Sequence, residues 1–281
     1  MKTISGKEIQ AKMFVDLVSR IKALAEKNVF PGLATIMVGK NAGSTIYIAN
    51  KQLTLKKLGM YGLSFELPES VTQSELLTLI GDLNKNHLIH GVLLQTPLPK
   101  HIDEGMVLSS ISPKKDVDGF HPLNVGLLSI GNPNLVACTP LGCMKMLESI
   151  ECDPAGKRAV VLGKSNIVGK PMAMLLINAG ATVTICNSKT QNLAEITKSA
   201  DILIVAIGKE KFITGKMLKP GSVVLDVGIN RNKEGGVVGD VDAVSTTDLA
   251  GHLSPVPGGV GPMTITMLMC NTVLACEEST K

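Results

Sequence analysis

Short apolar runs alternate with capped, amphipathic stretches along this chain, and that alternation constrains the fold more than any other feature. Ser5 and Glu8 form a capping-box pattern ahead of Ile9, Met13, Leu17, Ile21 and Leu24, which predicts a helix to about Glu26. Leu33 to Val38 reads as a buried strand, and Ser44 as the cap of a helix that Gly59 ends. Gly62 to Leu67 is a second strand, Thr72 and Glu75 box a helix to about Asn84, and His90 to Gln95 is a third strand. After a loop-rich stretch from Ser112 to Thr139 the pattern resumes. Strands are expected at Arg158–Leu162, Thr182–Cys186, Asp201–Ile207 and Ser222–Val227. Helices are expected from Pro171 to Gly180, near Leu193–Ser199, and at Pro262–Glu277. Strand–helix–strand series feed right-handed crossovers into parallel sheets, so the fold class is α/β with two domains. Their boundary should fall near residues 138–148, within a helix from Pro140 to Ile150.

Composition narrows the partners. With 281 residues and a net charge of +4, the chain has no basic block, so nucleic acid or an anionic membrane is not the expected partner. Five Phe, two Tyr and no Trp leave no stacking platform for single strands. Six Cys without a C-x-x-C pair read as reduced thiols, which suits a cytoplasmic protein. Pro262 to Cys276 is apolar but falls short of the roughly 20 residues a membrane span needs. His87 and His90 lack a third ligand at metal spacing, so no metal is expected.

The second series carries a candidate nucleotide site. Gly163-Lys-Ser-Asn-Ile-Val-Gly169 follows a strand and precedes a helix, where backbone N–H groups favour phosphate. The glycines are six apart, unlike G-x-G-x-x-G, and a plain strand–helix turn explains them equally well. The next strand ends in Cys186-Asn-Ser-Lys-Thr190, without the acid that would hold an unmodified ribose. Ser188 and Lys189, with Lys164, suit a 2′-phosphate and so favour NADP over NAD; a solvated turn is the alternative.

The first series carries candidate chemistry. Tyr47 and Lys51 are four apart on one helix, an aromatic platform beside an amine able to handle protons if burial lowers its pKa. On an arbitrary helix the simpler account is a half-buried Tyr and a snorkelling Lys. Gln95 ends a strand, where its amide could orient Lys51 or satisfy loop backbone. Lys115-Asp-Val-Asp-Gly119 offers a carboxylate for paired N–H donors, or merely an Asp-Gly turn. Ser254-Pro-Val-Pro-Gly-Gly-Val-Gly-Pro-Met-Thr264 is stiff yet lets backbone approach a flat ligand closely.

Six segments, in this order and spacing, resemble one family: Tyr47–Lys51, Leu93–Leu98, Lys115–Gly119, Cys138–Gly142, Gly163–Gly169 and Pro255–Thr264. It is the bifunctional methylenetetrahydrofolate dehydrogenase/methenyltetrahydrofolate cyclohydrolase family. The resemblance implies a parallel-sheet domain of residues 1–140 plus 262–281 that binds folate, a Rossmann-like domain of residues 141–261 that binds NADP, and a cleft between them. It implies catalysis by Lys51, Gln95 and Tyr47, with folate held by Tyr47, Asp118, Pro257, Gly258 and Gly259. It assigns Gly163, Lys164, Ser165, Ile167, Ser188, Lys189 and Ile229 to the cofactor, and it implies a cytoplasmic homodimer in one-carbon metabolism. Asn187 and Lys164 depart from it: the family often has His at the first and Arg or a small residue at the second. Lys in place of Arg gives up a bidentate fork, which weakens a hold on 2′-phosphate. A two-domain NADP dehydrogenase for a small acid would leave Tyr47, Gln95 and the 255–264 loop without a role.

Overall fold

The computed structural model describes residues 1–39, 42–232, 234–249 and 251–280 and, within 42–49, the backbone only. The chain first forms β1 (Lys2–Thr3), α1 (Gly6–Ala25), β2 (Gly32–Val38), α2 (Ala42–Leu58), β3 (Tyr61–Leu67), α3 (Gln73–Lys85) and β4 (Gly91–Leu94). Three helices follow, α4 (Glu104–Ser110), α5 (Pro122–Ser129) and α6 (Cys138–Ser149). Then come β5 (Arg158–Leu162), α7 (Gly169–Asn178), β6 (Thr182–Cys186), α8 (Leu193–Lys198), β7 (Ile202–Val205) and β8 (Val223–Asp226). A hairpin of β9 (Asn230–Arg231) and β10 (Val237–Val238), a short β11 (His252–Leu253) and α9 (Val260–Ser279) complete it. Two compact units result, Met13–Cys138 with Ile265–Lys281, and Met1–Lys12 with Thr139–Thr264.

In the unit built on Met13–Cys138, a three-stranded parallel sheet has the order β3-β2-β4. Central β2 is buried along almost its whole length, as a parallel strand covered on both faces must be. On one face Ala34 and Ile36 pack with Leu76, Ile80 and Leu83 of α3 and with Val107 and Ile111. The expected capping box starts α3: Thr72 Oγ1 accepts from Glu75 N while the Glu75 carboxylate accepts from Thr72 N. Beyond β4, Val92 pairs in parallel with Asp116, which carries Asp118 up to the level of Leu94 and Gln95. The sheet's carboxyl end and the 115–119 turn therefore share one edge.

The other unit holds a six-stranded parallel sheet, β1-β11-β8-β7-β5-β6, in which β5, β7 and β8 are almost wholly buried. Residues 1–12 cluster with this unit, where β1 pairs with β11. Two-residue strands such as β1 and β11 are too short to show a period, so the sequence does not signal them. Helix α5 was also unforeseen in the loop-rich stretch. Pro122 opens it behind His121, whose ring accepts from Leu123 N, but Gly126 interrupts the helical signal. Helix α2 begins at Ala42, ahead of the Ser44 expected to cap it.

Helix α9 runs two residues further at each end than expected, and among the described residues it alone is long and apolar enough to cross a membrane. Two thirds of its apolar stretch lies inside the protein, with Met263, Met267, Leu268, Met269 and Val273 almost fully covered, so its hydropathy is that of a core helix.

Candidate active site

Four side chains from distant parts of the sequence meet at the carboxyl end of the three-stranded sheet. Lys51, on α2, is 5% exposed, and its Nζ donates a long hydrogen bond of 3.4 Å to Gln95 Oε1. Gln95 is fixed from both sides: its backbone N–H donates to Ile36 O and its Nε2 to Thr96 O. Burial pushes the Lys51 amine below the ordinary lysine range, against the pull of Asp118 and Cys138. Loss of solvation raises the half-buried Asp118 carboxyl to about 6, although the Lys51 charge holds it down; Asp116 adds to the rise and a hydrogen bond from Cys138 opposes it. The two groups thus shift toward each other, as groups that exchange a proton do.

Asp116 anchors the turn that presents Asp118. Its carboxylate accepts from Phe120 N, His121 N and Asn124 Nδ2 at 3.1, 2.8 and 2.8 Å. Gly119, at φ +72°, lies so close to the 136–137 backbone that an added Cβ would meet Ala137 N at 2.3 Å. Glycine is required there on both counts. Cys138 donates to Val117 O at 3.2 Å, and burial beside Asp118 keeps it a thiol far above the ordinary range, so it is a donor and not a nucleophile.

Of the residues expected at this site, Lys51, Gln95 and Asp118 are brought together. The Tyr47 side chain lies outside the described residues; its backbone is on α2, one turn before Lys51. Pro257, Gly258 and Gly259 belong to the other unit, where Gly258 O accepts from Lys7 N. Cys138 and Asp116 were not singled out by sequence reasoning. Their signals were present in the C-T-P and D-V-D segments, but no local pattern tells which of two carboxylates anchors the turn and which is presented by it.

The candidate cofactor turn joins β5 to α7. Gly163 has φ +131° and a Cβ there would meet Ala206 O at 2.3 Å; one on Gly169 would meet Gly163 O at 2.1 Å. These glycines let strand, turn and helix pack backbone to backbone, as a dinucleotide turn requires. Ser165 Oγ accepts from Val168 N and Gly169 N and so closes the turn ahead of α7, leaving its own hydrogen to donate. Lys164, Ser165 and Ile167 are exposed on this turn, and Ser188 and Lys189 are exposed after β6. The Asn187 side chain accepts from Lys189 N at 3.0 Å, so it shapes the turn.

A buried acidic pair that the sequence did not reveal braces the ends of β7 and β8. Asp240 accepts from Ile207, Gly208 and Lys209 N–H groups and from Asn230 Nδ2. Asp226 accepts from Gly228, Asp240 and Val241 N–H groups, and desolvation still raises its carboxyl to about 6. The pair fixes both flanks of Ile229, which is exposed.

Comparison with known proteins identifies the family. Residues 4–118 match the model of the tetrahydrofolate dehydrogenase/cyclohydrolase catalytic domain, and residues 137–280 that of the family's NAD(P)-binding domain. The bifunctional protein FolD of Enterococcus faecalis is 50% identical over 275 residues, 98% of each chain. The crystal structure of bifunctional FolD from Campylobacter jejuni superposes with a TM-score of 0.97 at 46% identity, over 99% of both chains. That of the Trypanosoma brucei enzyme, complexed with NADP cofactor and inhibitor, gives 0.95 at 36% identity, over 99% of this chain and 98% of its own. With both domain models matched in order and relatives alike from end to end, the chain is a member of the tetrahydrofolate dehydrogenase/cyclohydrolase family.

Proposed function

We propose that the protein oxidises 5,10-methylenetetrahydrofolate to the 5,10-methenyl compound with NADP, and hydrolyses that compound to 10-formyltetrahydrofolate, with Lys51 as the catalytic amine. The observation that carries this reading is a buried lysine, lowered in pKa and set beside Gln95, Asp118 and Cys138, in a member of this family.

The first reaction removes hydride from a carbon between two nitrogens, whose lone pairs stabilise the cation, so no protein base is required. NADP, when bound, supplies the hydride acceptor. The glycine cradle of Gly163 and Gly169 and the exposed Lys164, Ser165, Ser188 and Lys189 fit a dinucleotide with a 2′-phosphate, and no acid stands at the tip of β6 to repel it. Ile167 and Ile229 are exposed apolar surface for its rings.

The second reaction needs proton management. The neutral Lys51 amine takes a proton from water as its oxygen bonds to the methenyl carbon. The ammonium so formed returns a proton to the ring nitrogen as the carbon–nitrogen bond breaks, and the hydroxyl proton leaves to solvent as the formyl carbonyl forms. Gln95 orients the amine, and Asp118 favours the ammonium and accepts N–H donors from the pterin edge. Tyr47 supplies the platform for the ring. The same reading carries a homodimer acting in the cytoplasm, with the formyl product directed to purine biosynthesis.

The test is to supply methylenetetrahydrofolate with NADP or NAD side by side and follow the methenyl chromophore. Turnover faster with NADP is expected. No turnover with either cofactor overturns the function, and faster turnover with NAD overturns the assignment of Lys164, Ser188 and Lys189.

A further inference from the structure

Asn271 sits on α9 between Met267, Leu268, Met269 and Val273, all almost fully buried, and is itself 3% exposed. An amide in such surroundings is costly unless its hydrogens are paired. Both are. Asn271 Nδ2 donates to Val117 O at 2.8 Å and to Val136 O at 2.9 Å, and lies 3.6 Å from Cys138 Sγ. One carbonyl is in the residue before Asp118 and the other is two residues before Cys138. The same two segments are pressed together at Gly119 and Ala137, where no side chain fits. A single side chain amide therefore ties the segment that presents the carboxyl to the segment that presents the thiol.

We propose that Asn271 is a positioning residue for the hydrolase: by clamping the carbonyls of Val117 and Val136 it sets the Asp118 carboxyl and the Cys138 thiol around Lys51. This rests on the assignment of Lys51 as the catalytic amine. Among the described residues, the groups facing that amine include Gln95 from the end of β4, Asp118 from the 115–119 turn and Cys138 from the start of α6, with Asp116 behind Asp118. Without the clamp the two segments separate, water reaches Lys51, and its proton affinity returns toward that of an exposed lysine. Neither carbonyl belongs to a strand, so the clamp is not part of the sheet that folds this unit.

The experiment compares the full-length protein with Asn271→Leu, which keeps the branched shape and removes both donors. Hydrolysis of the methenyl compound should fall roughly 10- to 100-fold, as misplacement of a catalytic group by a fraction of an ångström does. The rising limb of its pH profile should move up by about one unit, and hydride transfer should fall less, because it needs no base. Hydrogen exchange in the segments 116–120 and 136–139 should quicken. Should Asn271→Leu not fold, Asn271→Ser, with one shorter donor, serves in its place with a smaller shift of the same sign.

A folded variant with an unmoved pH profile, or with equal losses in both activities, overturns the proposal, since a merely structural role would produce that. A parent protein without hydrolase activity overturns the function instead, and the exchange measurement still reports whether Asn271 joins the two segments.

Discussion

Lys51→Met abolishes the hydrolase while leaving a protein that still binds folate. The loss expected for removing a general acid–base group is roughly 10²- to 10⁴-fold, and hydride transfer should keep the larger share of its rate. Methionine is close in volume to the lysine stem, and an amine that is 5% exposed stands where its charge is poorly solvated, so stability should hold or rise. The variant also reports on Asp118. In the parent protein the Lys51 charge holds that carboxyl down to about 6 against desolvation. With methionine its midpoint, read by carbon-13 titration, should rise further. The sign for stability follows. A carboxyl whose folded pKa is raised contributes stability that is present below its unfolded value and lost as pH climbs through the folded one. For Asp118 that window runs from about pH 4 to about 6, and Lys51→Met extends it upward. Undiminished hydrolysis in Lys51→Met removes Lys51 from the chemistry.

Gly169→Ala carries the second large effect. An added Cβ would lie 2.1 Å from Gly163 O and 2.5 Å from Gly163 C, and both obstacles are backbone, so the turn must open. A destabilisation of at least ~3 kcal/mol is expected, in the range that marks overpacking against a rigid site. NADP affinity should fall by about 100-fold or more, since the phosphate-facing amides depend on that turn. Chemical denaturation and a cofactor titration measure the two. Gly81→Ala is the control: Gly81 lies inside α3 with nothing within 4 Å of the added carbon, and the change should stabilise by roughly 0.5–1 kcal/mol. A Gly169→Ala protein as stable and as tightly bound as the parent would show that the close approach of β5 and α7 is not required.

The sequence was legible where local physics repeats. Strands such as Arg158–Leu162 and Thr182–Cys186 fall where expected, and the Thr72–Glu75 box opens its helix as expected. Strand β1 was illegible because two residues carry no period and its partner is β11, about 250 residues away. The site divides in the same way. Lys51 and Gln95 could be picked from their segments because each type has a chemical use there, whereas only the family resemblance separated Asp118 from Asp116. Asn271 and Asp240 could not, since their roles lie in carbonyls and N–H groups that only the folded chain brings near them. Buried polar residues in apolar stretches are the signal that would have found both.

The most direct measurement of the central claim is a titration of the Lys51 Nζ by NMR, with lysine labelled and Lys51→Met used for assignment. A midpoint clearly below the ordinary lysine value of 10.5 is the result predicted by a buried amine that works as a base. A midpoint at or above 10.5, with hydrolysis intact, would contradict it.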